Sequence, residues 1–344
     1  MLVLSDREVK SILTDLSASR CRALLETLSK ALSDYSTTRD DPKALVYQPL
    51  RQVFTTTLGH TSLFMPASNT ETTGIKVVTI PGSGGTPRGA INMFSPAGEL
   101  IGLLNAEEIT AFRTALVSMI PFLRCPIPKT HVVVFGAGKQ AEWHIRLSLL
   151  LAGDSIQSIT IVNRSSSSLD ELDKRLDGPI QQNTKLDIGL LAKDRAADYE
   201  SELKEALQKS DAIMCCTPAI EPHFPSSYLA PSQNSKPKRR FISLIGSYTP
   251  SMHEVDSETL LSGGNIYVDS REACLEEAGE IIKARVSGSR LVELGEMLSD
   301  LKPNDPEGNI VFKCVGMGIM DVVVSSGLLK IAREMHIGRT IEDF

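Results

Sequence analysis

The chain has 344 residues, with 36 Lys and Arg against 42 Asp and Glu and a formal net charge of −6. That length is a prior for two domains at roughly 150 residues each. No apolar run approaches the ~20 residues of a membrane span, the opening MLVLSDREVK lacks the apolar core of a secretion signal, and mild acidity without a basic stripe excludes a dedicated nucleic-acid binder. What is left is a cytosolic enzyme or a small-molecule binding protein.

The helix that opens the chain announces itself through Ser5 and Glu8, a capping-box spacing, followed by Val9, Ile12, Leu13 and Leu16 at helical intervals. A second amphipathic helix is predicted over residues 19–36. Strands are predicted at 52–57, 60–65, 74–80 and 90–94; because they follow one another without intervening helices, they form an antiparallel or mixed sheet. Residues 105–123 read as a helix with Ile109, Phe112, Leu116 and Ile120 along one face.

Cys125-Pro-Ile-Pro-Lys129 marks a domain boundary, since two prolines in three positions stiffen the linker. Beyond it the pattern changes. Strands at 131–135, 158–163, 212–216, 240–245 and 265–268 alternate with a turn and helix at 136–153 and a helix at 198–209. Such alternation specifies a parallel, doubly wound α/β sheet. Residues 232–240, polar and basic, read as a solvent loop. A strand returns at 309–316, and a helix at 321–335 has no strand after it to cross over to, so it is expected to rejoin the N-terminal domain. The domains expected are therefore 1–127 with 319–344, and 128–318.

Two residue types are informative by what they lack. The six cysteines (21, 125, 215, 216, 274 and 314) include no Cys-x-x-Cys pair, so free, mostly buried thiols are expected. The six histidines show no His-x-His or His-x-x-x-His spacing, and no metal site is expected.

The segment VVVFGAGKQA (132–141) places Gly136, Gly138 and Ala141 in the G-x-G-x-x-G/A pattern. The first glycine makes the tight strand-to-helix turn, the second lets backbone approach a pyrophosphate, and the alanine lets helix pack closely on strand. The helix N-terminus supplies N–H donors and a positive dipole. A strand before and a strand after give the motif its required context. At the end of that second strand stands Asn163-Arg164-Ser165, with no Asp or Glu for the ribose hydroxyls. The guanidinium can pair a 2′-phosphate, which favours NADP(H) over NAD(H); the competing reading is a solvated surface arginine.

In the other domain three cations draw notice. Lys76 interrupts the apolar strand Gly74-Ile-Lys-Val-Val-Thr79, Arg113 lies among small and apolar residues in Ile109-Thr-Ala-Phe-Arg-Thr-Ala115, and Arg51 opens the strand after Pro49. Each is either an outward-facing position or part of a carboxylate clamp, for which arginine forks are suited.

Several linked stretches, in order, carry a family resemblance: Met65-Pro-Ala67, Gly74-Ile-Lys76, residues 109–115, Gly136-Ala-Gly-Lys-Gln-Ala141, Asn163-Arg164, Thr217-Pro218, Gly246-Ser247, and Val311-Phe-Lys-Cys-Val-Gly-Met317 with Asp321. Over almost its whole length the chain resembles the ornithine cyclodeaminase/μ-crystallin family. The resemblance implies a homodimer with substrate groups on the N-terminal domain and a Rossmann-type second domain. It implies reaction-centre roles for Lys76, Arg51 and Arg113. It implies cofactor contacts at Thr114, Gly138, Lys139, Gln140, Asn163, Arg164, Ser165, Thr217, Ser247, Gly316 and Met317.

One departure matters. Where ornithine cyclodeaminases carry an aspartate for the substrate amine, this chain has Tyr248, in Gly246-Ser247-Tyr248-Thr249-Pro250. A tyrosine offers no carboxylate to a diamine's ammonium and is a poor base near neutral pH. The chain is thus more similar to the μ-crystallin-like ketimine reductases. The resulting expectation is an NAD(P)H-dependent oxidoreductase reducing the C=N bond of a small imino acid. Arg51 and Arg113 would hold the carboxylate, and Lys76 would stabilise or protonate the imine nitrogen, with Tyr248 as an alternative donor. The rivals are an ornithine or amino-acid cyclodeaminase using bound NAD, an amino-acid dehydrogenase, and a non-catalytic NADPH-dependent binding protein.

Overall fold

The computed structural model describes residues 1–39, 41–181, 186–231, 237–299 and 308–343. Met1–Val117 and Gly316–Phe344 form one unit, Ser118–Val315 the other. The division falls inside a helix, ahead of the proline linker at 125–129.

The first unit opens with strand β1 (Leu2–Leu4) and helix α1 (Asp6–Thr14). The capping box forms as the Ser5–Glu8 spacing requires: Ser5 Oγ accepts from the Glu8 N–H, and the Glu8 carboxylate accepts from the Ser5 N–H at 2.7 Å. Helix α2 (Ala18–Thr38) follows from a Ser17 cap and buries Leu24, Leu28 and Leu32. Strands β2 (Gln52–Thr55), β3 (Thr61–Ser68), β4 (Thr73–Ile80), β5 (Arg88–Phe94) and β6 (Leu100–Asn105) then build an antiparallel meander. β1 adds to β6 in parallel, making the sheet mixed. β1 is a short apolar run whose partner β6 lies far away in sequence, whereas β6 extends the meander next to β5; neither was expected. Helix α3 (Ala106–Arg124) leaves this sheet and carries Pro121 within its last turns.

The second unit is an eight-stranded parallel sheet. Its strands are β7 (His131–Phe135), β8 (Ser158–Asn163), β9 (Asp187–Ala192), β10 (Ala212–Cys215), β11 (Phe241–Leu244), β12 (Ile266–Val268), β13 (Leu291–Glu293) and β14 (Ile310–Lys313). Their spatial order is β13-β12-β14-β11-β10-β7-β8-β9, every pairing parallel. In chain order its first five strands run 3-2-1-4-5, the Rossmann arrangement, with the order reversing between β7 and β10. Strands buried on both faces read as continuous apolar runs: Val133, Phe135, Ile213, Cys215, Ile242 and Leu244 share one core. The crossovers include α4 (Lys139–Ala152), α5 (Ser166–Gln181) and α6 (Tyr199–Lys209). Helix α5 and strand β9 were not read from the sequence, because serines and charged residues dominate the start of one and β9 carries a glycine. All six cysteines are buried and free.

The chain then returns to the first unit. The C-terminal helix, Gly318–Met335, packs on β3, β4, β5 and α2. Its first two turns are buried all round rather than on one face, because sheet and helix cover it together. A short strand, β15 (Arg339–Thr340), follows it and pairs antiparallel with β1, correcting the expectation of none. The supposed solvent loop is corrected as well where it is described; residues 232–236 lie outside the described residues. Arg240 is buried and donates to the Leu207 and Gln208 carbonyls, and Lys238 pairs with Asp211 at 2.8 Å. Those cations fasten the segment instead of facing water.

Candidate active site

In the first unit the three singled-out cations come together. The strand alternation of β4 turns Lys76 inward with Gly74, onto the face that the C-terminal helix covers. Lys76 is only 3% exposed and Arg113, on α3, only 4%. Asp321, in the first turn of the C-terminal helix, divides its carboxylate between them. Lys76 Nζ lies 2.7 Å from Oδ2, and Arg113 Nε donates to Oδ1 at 3.2 Å. Burial lowers the Lys76 pKa to about 8; Asp321 pulls it up, while Arg113 and Arg51 push it down. Arg51, half-buried, therefore lies close enough for its charge to be felt at the ammonium.

Gly316 explains how Arg113 fits. Its φ is +93°, and a Cβ there would sit 2.8 Å from both Arg113 Nη1 and Nη2. Only glycine gives both that backbone and that clearance. Thr114 and Met317 are also buried in this unit, Thr114 Oγ1 donating to the Thr110 carbonyl at 2.8 Å.

In the second unit the glycine turn follows β7 at the point where strand order reverses. Gly136 has φ +114°, and a Cβ on it would approach Thr217 Cγ2 to 2.9 Å, so the turn lies against the segment leaving β10. Gly138 caps α4 without any side-chain bond, and the space its Cβ would occupy is open. Ala141 is fully buried, as close packing of helix on strand requires. Open space at Gly138, at the N-terminus of α4, fits a dinucleotide's pyrophosphate. Arg175 braces this loop, donating to the Ala137 carbonyl at 3.0 Å while pairing with Glu142 at 2.8 Å. Lys139 and Gln140 occupy the first turn, and the Gln140 carbonyl bonds His144 Nδ1 at 2.8 Å.

At the end of β8, Asn163 Nδ2 donates to the Ser165 carbonyl at 3.1 Å, and Arg164 is exposed. The expectation that no carboxylate stands near is corrected. Asp194, just past β9, accepts from the Ser166 N–H at 2.9 and 3.1 Å. The neighbouring strand delivers it, and strand adjacency is not visible along the sequence.

Sequence reasoning missed a buried charge network at the carboxyl ends of β10, β11 and β14. Glu254 accepts from the Thr217 N–H at 2.9 Å and from the Gly246 N–H at 2.7 Å. Glu280 accepts from the Glu254 N–H at 3.0 Å and from Ser247 Oγ. Lys313 donates to the Ser247 carbonyl at 2.6 Å and stands 3.5 Å from Glu280. Thr217 Oγ1 and His223 Nε2 are 2.6 Å apart. Lys313 carried a usable signal, a charge inside an apolar strand, the same one that singled out Lys76. Tyr248, half-buried, directly follows Ser247 in this unit.

Dinucleotide architecture in one unit and buried cations in the other are features of an NAD(P)-dependent oxidoreductase, and the class, acting on C=N and CH–NH bonds, is that of the family the chain matches. More particularly, the chain belongs to the ornithine cyclodeaminase/mu-crystallin family, whose model matches residues 15–334. It is 30% identical to the uncharacterized protein YGL159W of Saccharomyces cerevisiae, the match covering 96% of each chain. It is 29% identical to the ketimine reductase mu-crystallin of Mus musculus over 88% of this chain and 90% of that one. The fold is shared with Thermococcus litoralis Δ1-pyrroline-2-carboxylate reductase, solved with NADH and L-proline, at a TM-score of 0.80 and 20% identity over 99% and 100% of the two chains. Among the described residues, no helix is long and apolar enough to cross a membrane.

Proposed function

We propose that the protein reduces the C=N bond of a small imino acid bearing a carboxylate next to the imine carbon. The observation that carries this reading is the buried pair Lys76 and Arg113 sharing one carboxylate, Asp321, with Arg51 near enough for its charge to act on Lys76. Buried cations of this kind suit an anionic substrate. Arg113 and Arg51 bind the substrate carboxylate, and Arg113 is kept in place by Asp321 and by the room Gly316 leaves. Lys76 holds the proton that the reduced nitrogen takes up; Asp321 keeps the ammonium charged and oriented. Bound NAD(P)H supplies the hydride. The glycine turn at Gly136 and Gly138, with Thr217 and Ser247, holds that cofactor, and Arg164 favours the 2′-phosphate of NADP(H) over NAD(H). Ketimine and pyrroline carboxylate reduction by the related proteins supports the substrate class.

The protein works as a homodimer in this reading. The edge strand β2 exposes Val53 and Phe54, with Leu58 beyond it, and an apolar sheet edge left open invites a second chain. Light scattering distinguishes one chain from two.

The test of function is a screen of NADPH and NADH oxidation against cyclic and linear imino acids, with ornithine and lysine as controls. Turnover of a cyclic imino carboxylate is the expected result. Ammonia released from ornithine without net cofactor consumption would overturn reduction in favour of cyclodeamination.

A further inference from the structure

The dinucleotide reading makes the end of β8 the place where the adenosine ribose is recognised, because that strand end follows the glycine turn's helix in the Rossmann arrangement. Along the sequence this place holds only Asn163, Arg164 and Ser165, none of them acidic. In the fold it holds a carboxylate. Backbone bonds continue the β8–β9 ladder past the end of β9, from the Lys193 N–H to the Asn163 carbonyl at 3.0 Å and from the Asp194 N–H to the Arg164 carbonyl at 3.3 Å. That register sets Asp194 beside the start of α5. Both its oxygens accept from the Ser166 N–H, at 2.9 and 3.1 Å, and Oδ2 also accepts from Ser166 Oγ at 3.3 Å. The helix's leading donor is thereby taken by an internal anion.

We infer that Asp194 is a cofactor-selectivity residue that acts against the 2′-phosphate of NADP(H); the inference rests on the dinucleotide reading above. Two effects work in the same direction. A carboxylate one hydrogen bond from Ser166 and backbone-bonded to residue 164 repels a dianionic phosphate drawn to the Arg164 guanidinium. It also occupies the N–H and hydroxyl of Ser166, which a phosphate at this helix end would otherwise use. A 2′-hydroxyl suffers neither penalty, since it can donate a hydrogen bond to a carboxylate. Arg164 and Asp194 are thus opposed, and the chain takes both cofactors with a narrower preference than Arg164 alone would set.

The experiment measures dissociation constants of NADPH and NADH by fluorescence titration for the parent protein, Asp194→Asn and Asp194→Ser. Competition by 2′,5′-ADP and by ADP gives the same comparison without the nicotinamide. Asp170→Asn is the control, because Asp170 is an exposed carboxylate on α5 and pairs with Arg195 at 3.1 Å. Both Asp194 variants are expected to bind NADPH and 2′,5′-ADP about five- to thirtyfold more tightly. NADH and ADP are expected to change less than about twofold. An unchanged NADPH-to-NADH ratio, a shift equal to that of Asp170→Asn, or weaker NADPH binding would overturn the inference, the last by making Asp194 an organiser of the phosphate site. Those outcomes leave the dinucleotide reading standing. Failure of the parent to bind either cofactor overturns that reading and the inference together.

Discussion

Lys76 Nζ and Asp321 Oδ2 are 2.7 Å apart, joining a strand of the meander to a helix from the other end of the chain. Burial pulls the Lys76 pKa down to about 8, and Asp321 is the largest influence holding it up. A proton donor must be charged to act, so kcat/KM for the imine is expected to fall as pH rises through about 8. Replacing Asp321 by Asn removes the anion that favours the ammonium, and the descending limb moves to lower pH. Comparing parent and variant on one substrate cancels the substrate's own titration. A limb that stays in place in Asp321→Asn would separate it from Lys76.

Lys76→Met keeps the length and apolar bulk of the side chain and removes the proton. Turnover should drop by about 10²- to 10⁴-fold, the usual worth of a positioned general acid, while NADPH binds as before. A cofactor titration beside single-turnover kinetics checks both halves. Turnover near the parent's value would remove Lys76 from the reaction.

Gly316→Ala tests Arg113 without touching it. The new methyl would stand 2.8 Å from both terminal guanidinium nitrogens, on a backbone at φ +93°. The arginine must shift, and KM for the imino acid should rise about tenfold or more as its carboxylate loses a well-placed fork. Arg113→Lys should raise KM in the same direction, since an ammonium cannot reproduce the fork.

Much of this site could be read from residues because it rests on violations of a local pattern. A lysine in an apolar strand, an arginine among small helix residues and glycines at fixed spacing each stand out one at a time. What escaped depends on pairings between distant segments. Asp194 reaches the end of β8 only through the β8–β9 register, and Glu254 reaches Thr217 and Gly246 only because β10 and β11 are neighbours. β1 escaped for the same reason, being a short apolar run whose partner β6 lies far along the chain. Composition hid α5, whose opening serines look like a loop until Asp194 occupies its N-terminus.

Glu254 bonds the backbone N–H groups of Thr217 and Gly246 in a fully buried setting. Glu254→Ala leaves both donors without their carboxylate, at about 1–3 kcal/mol each. Stability should fall by about 2–5 kcal/mol in urea unfolding. Lys313→Met strands the Glu280 carboxylate and should cost about 3–5 kcal/mol. A loss under about 1 kcal/mol in both variants would mean that the network relaxes at little cost.

His144 is fully buried in α4, with Nδ1 on the Gln140 carbonyl at 2.8 Å and Nε2 3.0 Å from Ser118 Oγ. Burial lowers its pKa from 6.5 to about 4. Between those values the unfolded chain binds a proton that the folded chain refuses, so acid favours unfolding. The penalty is absent above pH 6.5, grows as pH falls, and is complete below about 4. Its full size is about 3 kcal/mol at 1.36 kcal/mol per pKa unit. His144→Gln removes the titration, and its stability should decline less steeply over that acid range than the parent's. Denaturant midpoints measured at intervals from pH 7 to pH 4 give the two slopes, and equal slopes would show that His144 does not contribute to acid sensitivity.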